Sequence, residues 1–171
     1  MHTTLYMAMS LNGMIARESG AHEFISQNNW ETFTKLAKEY GNVILGRKTY
    51  EAVKMWGGSF SLDDVEAEKV VVTSDTTFHV EPGYIKAASP MEAIELLSSH
   101  MFEKALLTGG GTLNTAFASH NLINEVVFNM EPIIVGEGIP VLSAADFDLK
   151  LQLQSVETAV TGIVTMRYSV V

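Results

Sequence analysis

The sequence predicts an α/β fold: a mixed, mainly parallel sheet with helices on both faces and an antiparallel strand pair toward the C-terminus. Three observations predict it. Short β-rich runs alternate with helical patterns through the first two thirds of the chain, as βαβ crossovers require. Runs such as Val70-Val71-Val72 are continuously apolar, which suits strands covered on both faces. After Asn121 no long helix appears, and two late runs alternate as half-exposed antiparallel strands do.

The elements follow in order. Thr4 to Met9 reads as the first strand, Asn42 to Leu45 as the second, Lys69 to Thr73 as the third, Tyr84 to Ala87 as the fourth and Lys104 to Thr108 as the fifth. Between the first two, Asn28 or Asn29 can cap a helix that carries Trp30, Phe33, Ala37 and Tyr40 at helical spacing, with Gly41 as its stop. Ser89-Pro90-Met91-Glu92 is a strong helix start, with an N-cap serine, a proline where no N–H is missed and a glutamate able to close a capping box. A further helix is predicted from about Leu113 to His120, followed by strands at Val126–Met130, Leu149–Val156 and Ile163–Val170.

With 171 residues, 47% of them hydrophobic, the chain can bury the core of one domain, and a single domain over 1–171 is the expectation. A formal charge of -9 disfavours nucleic acid and anionic membrane surfaces as partners, so an anionic ligand needs a local site. The absence of Cys excludes disulfides, thiolate nucleophiles and Cys-bound metals, and the five His show no ligand spacing, so no metal is expected. The run from Leu5 to Ala16 lacks a basic n-region and is broken by Ser10, Asn12 and Gly13, which argues against a signal peptide or membrane span; the expected location is cytoplasmic.

Two stretches carry chemistry. Val43-Ile44-Leu45-Gly46-Arg47-Lys48-Thr49 is a buried strand, a glycine and then two cations where a helix should begin. Cations there oppose the helix dipole by about 0.3 to 1 kcal/mol each unless an anion lies between them and the free N–H groups. A ligand phosphate would resolve the conflict; the alternative is a solvated pair of charges on a turn. Ala105-Leu106-Leu107-Thr108-Gly109-Gly110-Gly111-Thr112-Leu113-Asn114 again feeds a strand into a helix, now through three glycines that let backbone approach a diphosphate. It is neither a P-loop, lacking Gly-Lys-Ser/Thr, nor a Rossmann fingerprint, since Asn114 stands where the last glycine belongs. Two phosphate-friendly helix starts suit a dinucleotide with an added phosphate, NADP rather than NAD. Thr73 and Ser74, hydroxyls at a strand end, lie where adenosine-side groups fall in open α/β sheets; by themselves they also read as ordinary strand-end residues.

The opening Ala8-Met9-Ser10-Leu11-Asn12-Gly13-Met14-Ile15-Ala16, the Val43 to Thr49 segment and Thr108 to Leu113 resemble, in order and spacing, the dihydrofolate-reductase-like superfamily. The run from Asn124 through Pro132-Ile133-Ile134-Val135-Gly136-Glu137-Gly138-Ile139-Pro140 is similar to the reductase domain of the bifunctional deaminase-reductase of riboflavin biosynthesis. The resemblance implies a three-layer fold and an NADPH-dependent reductase. It implies that Arg47, Lys48 and Thr49, after Gly46, hold phosphates and that Thr73 and Ser74 lie near the adenosine 2′-phosphate. Gly109, Gly110, Gly111 and Thr112, flanked by Thr108 and Leu113, would wrap the pyrophosphate, while Ala8, Ile15 and Ala16 border the nicotinamide. Relatives of this kind are often homodimers.

Two departures from the family pattern bear on substrate. Folate reductases carry a carboxylate near the start of the first long helix; here that position falls on or beside Trp30, with Glu31 its acidic neighbour. The riboflavin-type opening has Asp where this chain has Asn12. The expected reaction is hydride transfer to a C=N or C=O of a pteridine- or pyrimidine-like molecule, the proton coming from water steered by Glu31 or Asn12. Trp30, Phe33 and Trp56 form a candidate aromatic wall for a flat heterocycle, or else ordinary core, and Glu23 is a further loop carboxylate. The rival readings are a divergent dihydrofolate reductase, a non-catalytic NADP-binding module and a structural protein that binds nothing.

Overall fold

The structure is a computed structural model and describes residues 1–55, 60–159 and 161–171; Trp56 lies outside them. Its centre is an eight-stranded sheet in the order β5-β4-β3-β6-β1-β7-β10-β9. The strands are β1 (His2–Ser10), β3 (Asn42–Gly46), β4 (Glu68–Val72), β5 (Tyr84–Ala87), β6 (Lys104–Leu107), β7 (Glu125–Glu131), β9 (Leu151–Thr158) and β10 (Val164–Val170). The strands from β5 across to β7 pair in parallel; β10 runs antiparallel to both β7 and β9. A second, two-stranded sheet joins β2 (Met14–Arg17) to β8 (Gly138–Pro140).

Period-two alternation in the parallel strands divides the interior into two cores. Leu5, Met7, Ile44, Val70 and Leu107 face α3 (Pro90–Ser99) and α4 (Gly111–Ser119), where Leu97 and Phe117 are fully buried. Tyr6, Val43, Leu45, Val71 and Leu106 face α1 (Gln27–Tyr40) and α2 (Arg47–Met55), meeting Phe33, Ala37 and Val53. The sheet is thus sandwiched between two helical layers, as the apolar runs predict.

Helix ends follow the sequence signals with one correction. Gly41 ends α1 in the left-handed region at φ 69°, its N–H reaching Ala37 O at 2.9 Å. At α3, Ser89 Oγ accepts from Glu92 N (3.1 Å) while the Glu92 carboxylate accepts from Ala88 N (2.8 Å). The N-cap of α1, however, is Ser26 rather than Asn28 or Asn29. Asn29 is instead buried on the sheet-facing side of the first turn, a polar residue in a position where the pattern had placed apolar Trp30.

The late strands also differ from expectation. Alternation predicted one buried face on each, but β9, at the sheet edge, exposes Leu151, Leu153 and Val156, and β10 is half-buried throughout. The short β2 and β8 are too brief to carry a periodic signal in the sequence. Among the described residues no helix is long and apolar enough to cross a membrane.

At the amino edge of the sheet Glu125 ties β7 to its neighbours. Arg167 Nη1 donates to its Oε1 at 2.7 Å and Thr4 Oγ1 to its Oε2 at 2.8 Å. Burial pushes the Glu125 carboxyl up, but the bonds from Arg167 and Thr4 outweigh it and hold the group below its ordinary 4.5. A carboxyl depressed in the fold stabilises above its unfolded pKa, and that contribution is lost as pH falls through the folded value. Glu125→Gln is therefore expected to cost roughly 1 kcal/mol at neutral pH and to flatten the loss of stability between about pH 5 and pH 3, read from urea denaturation across that range.

Candidate active site

The parallel strands all end on one edge, at Ser10, Gly46, Val72, Ala87, Leu107 and Glu131, and ligands of open α/β sheets bind beyond such an edge. The two motif segments meet there. Gly46 N donates to Gly109 O at 2.7 Å, locking the end of β3 to the turn after β6. A Cβ placed on Gly110 would lie 3.1 Å from Thr49 Oγ1 and 3.8 Å from Ile15 Cδ1, so α2, the glycine turn and β2 are in contact. On Gly109, at φ 97°, a Cβ would come within 3.0 Å of Met7 Sδ, and on Gly111 within 2.3 Å of Pro140 O. At Gly111 glycine is needed for the close approach of the Pro140 backbone, while Gly109 and Gly110 make room for the side chains of Met7, Thr49 and Ile15.

The start of α4 is bare. Its N-cap is Gly110, with no side chain to accept, and its first intrahelical bond runs from Asn114 N to Gly110 O at 3.0 Å. The amides of Gly111, Thr112 and Leu113 thus precede the helical ladder, and the helix offers them with its positive dipole end. Behind them Asn114 is fully buried, its Nδ2 bonded to Val141 O at 2.8 Å and its Oδ1 without a donor among the described residues. Thr108 and Gly110 keep some surface and Thr112 is exposed, whereas Leu113 packs into the core. Ala8 is half-buried in a strand otherwise buried from Thr3 to Ser10, and Ile15 and Ala16 are also half-buried. The cradle fits a dinucleotide diphosphate: backbone donors without side chains above them, on a turn that has no room for any.

The two cations differ. Lys48 is exposed and forms no ion pair among the described residues, as the charge pattern anticipates. Arg47 does not need a ligand anion, because Asp75 Oδ2 lies 2.9 Å from its Nη1 and Glu51 Oε1 3.9 Å from its Nε. The expectation that the pair stands unneutralised is corrected for Arg47: the acid arrives from the loop after β4, 28 residues away in sequence. Thr73 is half-buried and Ser74 exposed at that same strand end.

The remaining site residues lie on the α1 side. Asn12 is engaged: its Nδ2 donates to Val135 O (2.6 Å), and its Oδ1 accepts from Val135 N (3.0 Å) and Ser10 Oγ (2.8 Å). An aspartate would set an oxygen against the Val135 carbonyl, so the amide is the residue this corner requires. Glu31 is exposed and lines two clefts, one of about 260 Å³ shared with Asn129 and Thr165, the other of about 610 Å³ shared with Trp30. Phe33 is buried, stacked on Tyr6 and against Trp30, and so belongs to the core. Trp30 is half-buried with Phe60 on its edge at 5.6 Å. Glu23 pairs with Arg17 in the loop after β2.

A carboxylate that the sequence reading passed over sits between these groups. Glu131, at the end of β7, is 5% exposed. Its Oε1 accepts from Ser26 N at 2.7 Å and from Asn29 Nδ2, supplying from the sheet the anion that the first turn of α1 lacks. Asn29 O in turn accepts from Tyr6 OH (3.0 Å), which accepts from Asn129 Nδ2 (3.2 Å), whose Oδ1 accepts from Thr165 Oγ1 (2.5 Å). Burial, with Glu131 nearby, pushes the Tyr6 phenol well above its ordinary range and keeps it a neutral donor. The signal was available as polar residues at the inward positions of β7, every second residue from Val127: Asn129 and Glu131.

A sheet of this order, with its carboxyl edge closed by a glycine turn and a small second sheet, is the dihydrofolate-reductase-like fold. The chain belongs to the RibD C-terminal domain family, whose model matches residues 1–165. It is 27% identical over 155 residues to the uncharacterized protein YwjB of Bacillus subtilis (strain 168), covering 89% of this chain and 88% of that one. The crystal structure of a putative riboflavin biosynthesis protein from Shewanella sp. PV-4 matches with a TM-score of 0.81 at 23% identity, covering 100% and 99% of the two chains. Dihydrofolate reductase from Enterococcus faecalis, complexed with NADP(H) and RAB-propyl, matches with a TM-score of 0.77 at 17% identity, covering 99% and 96%.

Two expected outcomes test the geometry. Glu131→Ala leaves two buried donors without an acceptor and should cost about 2 to 4 kcal/mol in urea denaturation, with Glu131→Gln recovering much of it. Gly111→Ala forces the Pro140 backbone to move and should cost about 1 to 3 kcal/mol by the same measurement.

Proposed function

We propose that the protein is an NADPH-dependent oxidoreductase of the riboflavin-biosynthesis reductase type, reducing a C=N or C=O of a pteridine- or pyrimidine-like small molecule. The observation that carries this reading is the convergence of the α2 and α4 starts on one glycine turn, with Ile15 in contact. Family membership supports it, as does the likeness to a reductase whose structure holds NADP(H). When bound, reduced nicotinamide supplies hydride from its C4. The bare amides of Gly111 and Thr112, with Lys48 and Thr49, receive phosphate oxygens. Ala8, Ile15 and Ala16 border the ring and keep water from it.

The substrate occupies the α1 side, where Trp30 offers a flat apolar surface and the Asn129 and Thr165 groups are polar. Glu31, lining both clefts, orients the water that donates the proton; Asn12, fully used by Ser10 and Val135, has no part in that step. At the first turn of α1 the inward side chain is the amide of Asn29, already bonded to Glu131. The carboxylate grip that folate reductases use is therefore missing from the helix, and folate is not proposed as substrate.

NADPH in hundredfold excess over its dissociation constant is expected to stabilise the fold by about 2.7 kcal/mol, a melting-temperature rise of roughly 5 to 10 °C. Gly110→Ala, which crowds the cradle, should abolish most of that rise while the unliganded protein still folds. Glu31→Gln should lower kcat and alter its pH profile with NADPH affinity unchanged. The reading is lost if NADPH produces no rise, and its catalytic half is lost if bound NADPH is not oxidised by any of a panel of pteridines and aminopyrimidines.

A further inference from the structure

The corner offered to the adenosine end of the nucleotide contains both an arginine and a carboxylate, bonded to one another. Arg47 Nη1 and Asp75 Oδ2 are 2.9 Å apart, and the guanidinium carbon stands 5.6 Å from the centre of the Phe78 ring. Asp75 is no freely swinging surface acid. Its Oδ1 accepts from Thr77 N at 2.9 Å and from Thr77 Oγ1 at 2.7 Å, and its own N–H reaches Thr73 Oγ1 at 3.2 Å. The Thr77 side-chain and backbone bonds, with Arg47 nearby, hold its carboxyl below the usual carboxylate range, so the negative charge is present at neutral pH. A fixed anion therefore lies immediately after the Thr73-Ser74 pair.

In Rossmann dinucleotide-binding folds a carboxylate bonds the ribose 2′-hydroxyl, whereas a nearby arginine accommodates a 2′-phosphate, and the same chemistry applies to an acid and an arginine set side by side here. Here the carboxylate already fills the arginine's fork. A 2′-phosphate has to displace Asp75 from Arg47 and then remain beside it, and two anions a few ångströms apart repel. It is not excluded, because the pair is half-open to solvent, with side chains 37% and 39% exposed, and exchange of partners in such a pair is inexpensive. Lys48 remains as a second cation, without an ion pair among the described residues. A ribose hydroxyl, in contrast, can donate to Asp75 without breaking anything.

Resting on the nucleotide reading above, we propose that Asp75 is a specificity-determining residue, a built-in competitor for the 2′-phosphate that leaves NADPH and NADH bound within about tenfold of each other. Glu51, whose carboxylate is 3.9 Å from Arg47 Nε, is the weaker competitor.

The test compares dissociation constants of NADPH and NADH for the wild type and Asp75→Asn, read from nicotinamide fluorescence, with 2′,5′-ADP and 5′-AMP measured by calorimetry as partners lacking the nicotinamide. Asparagine keeps an oxygen for Thr77 but loses the charge. The expected result is NADPH and 2′,5′-ADP tightened about tenfold, with NADH and 5′-AMP unchanged or a few-fold weaker. The gain should vanish in the Arg47→Ala, Asp75→Asn double variant. Asp75→Ser gives the same comparison should asparagine disturb the turn. An unmoved NADPH to NADH ratio, or a wild type that already prefers NADPH by roughly a hundredfold, overturns the role of Asp75 while leaving the nucleotide site standing. Failure of every nucleotide to bind overturns the site and this proposal together.

Discussion

Neighbouring groups come within contact distance of the Gly109–Gly111 turn from three directions, two of them as side chains and one as backbone, because the glycines carry no Cβ. Met7 of β1 presses on Gly109, Thr49 of α2 and Ile15 of β2 on Gly110, and the carbonyl of Pro140 on Gly111. Segments separated by more than a hundred residues are thereby fixed around one short turn. The bond from Gly46 N to Gly109 O adds the end of β3 to the assembly. What the site offers a ligand follows from this: its donors are main-chain amides on a rigid frame, positioned by packing and ready before anything binds.

The α1 face solves a different problem. A sheet side that is apolar through Val43, Leu45, Val71 and Leu106 becomes polar toward its carboxyl end, where Tyr6, Asn29, Asn129, Thr165 and Glu131 form one connected chain of bonds. Such a chain is tolerable in a low-dielectric interior because donors and acceptors are matched along it. It also makes the seating of α1 depend on β7, since the helix receives its terminal anion from the strand. The orphaned Ser26 Oγ at the same helix end is the one buried hydroxyl of this corner without a partner among the described residues.

The alternation of strands and helices, the glycine turn and the Ser89 cap were legible in sequence because each rests on local chemistry. Gly41 and Ser89 act within their own turn, and continuous valines need no partner to declare themselves buried. The α1 cap was not legible, because Asn28 and Asn29 are both good capping residues and only the distant Glu131 draws Asn29 inward. Nor could the charge pattern show that Arg47 is neutralised, since Asp75 belongs to a loop whose path only the fold determines. The sequence reading found the motif residues that line the carboxyl edge; the long-range polar pairs needed the coordinates. β9 was misjudged for the converse reason. Alternation marks a strand but cannot say whether anything covers either face at the sheet edge.

The amide of Asn12 grips both the N–H and the C=O of Val135, a residue only 1% exposed. That grip fastens the corner between β1 and β2 to a plug seated in the interior. Ser10 and Glu131 stand in register at the ends of β1 and β7, the line along which the small β2–β8 panel joins the main sheet. Lifting the panel along that line drags the valine into water, at about 1.5 to 3 kcal/mol, besides breaking two hydrogen bonds.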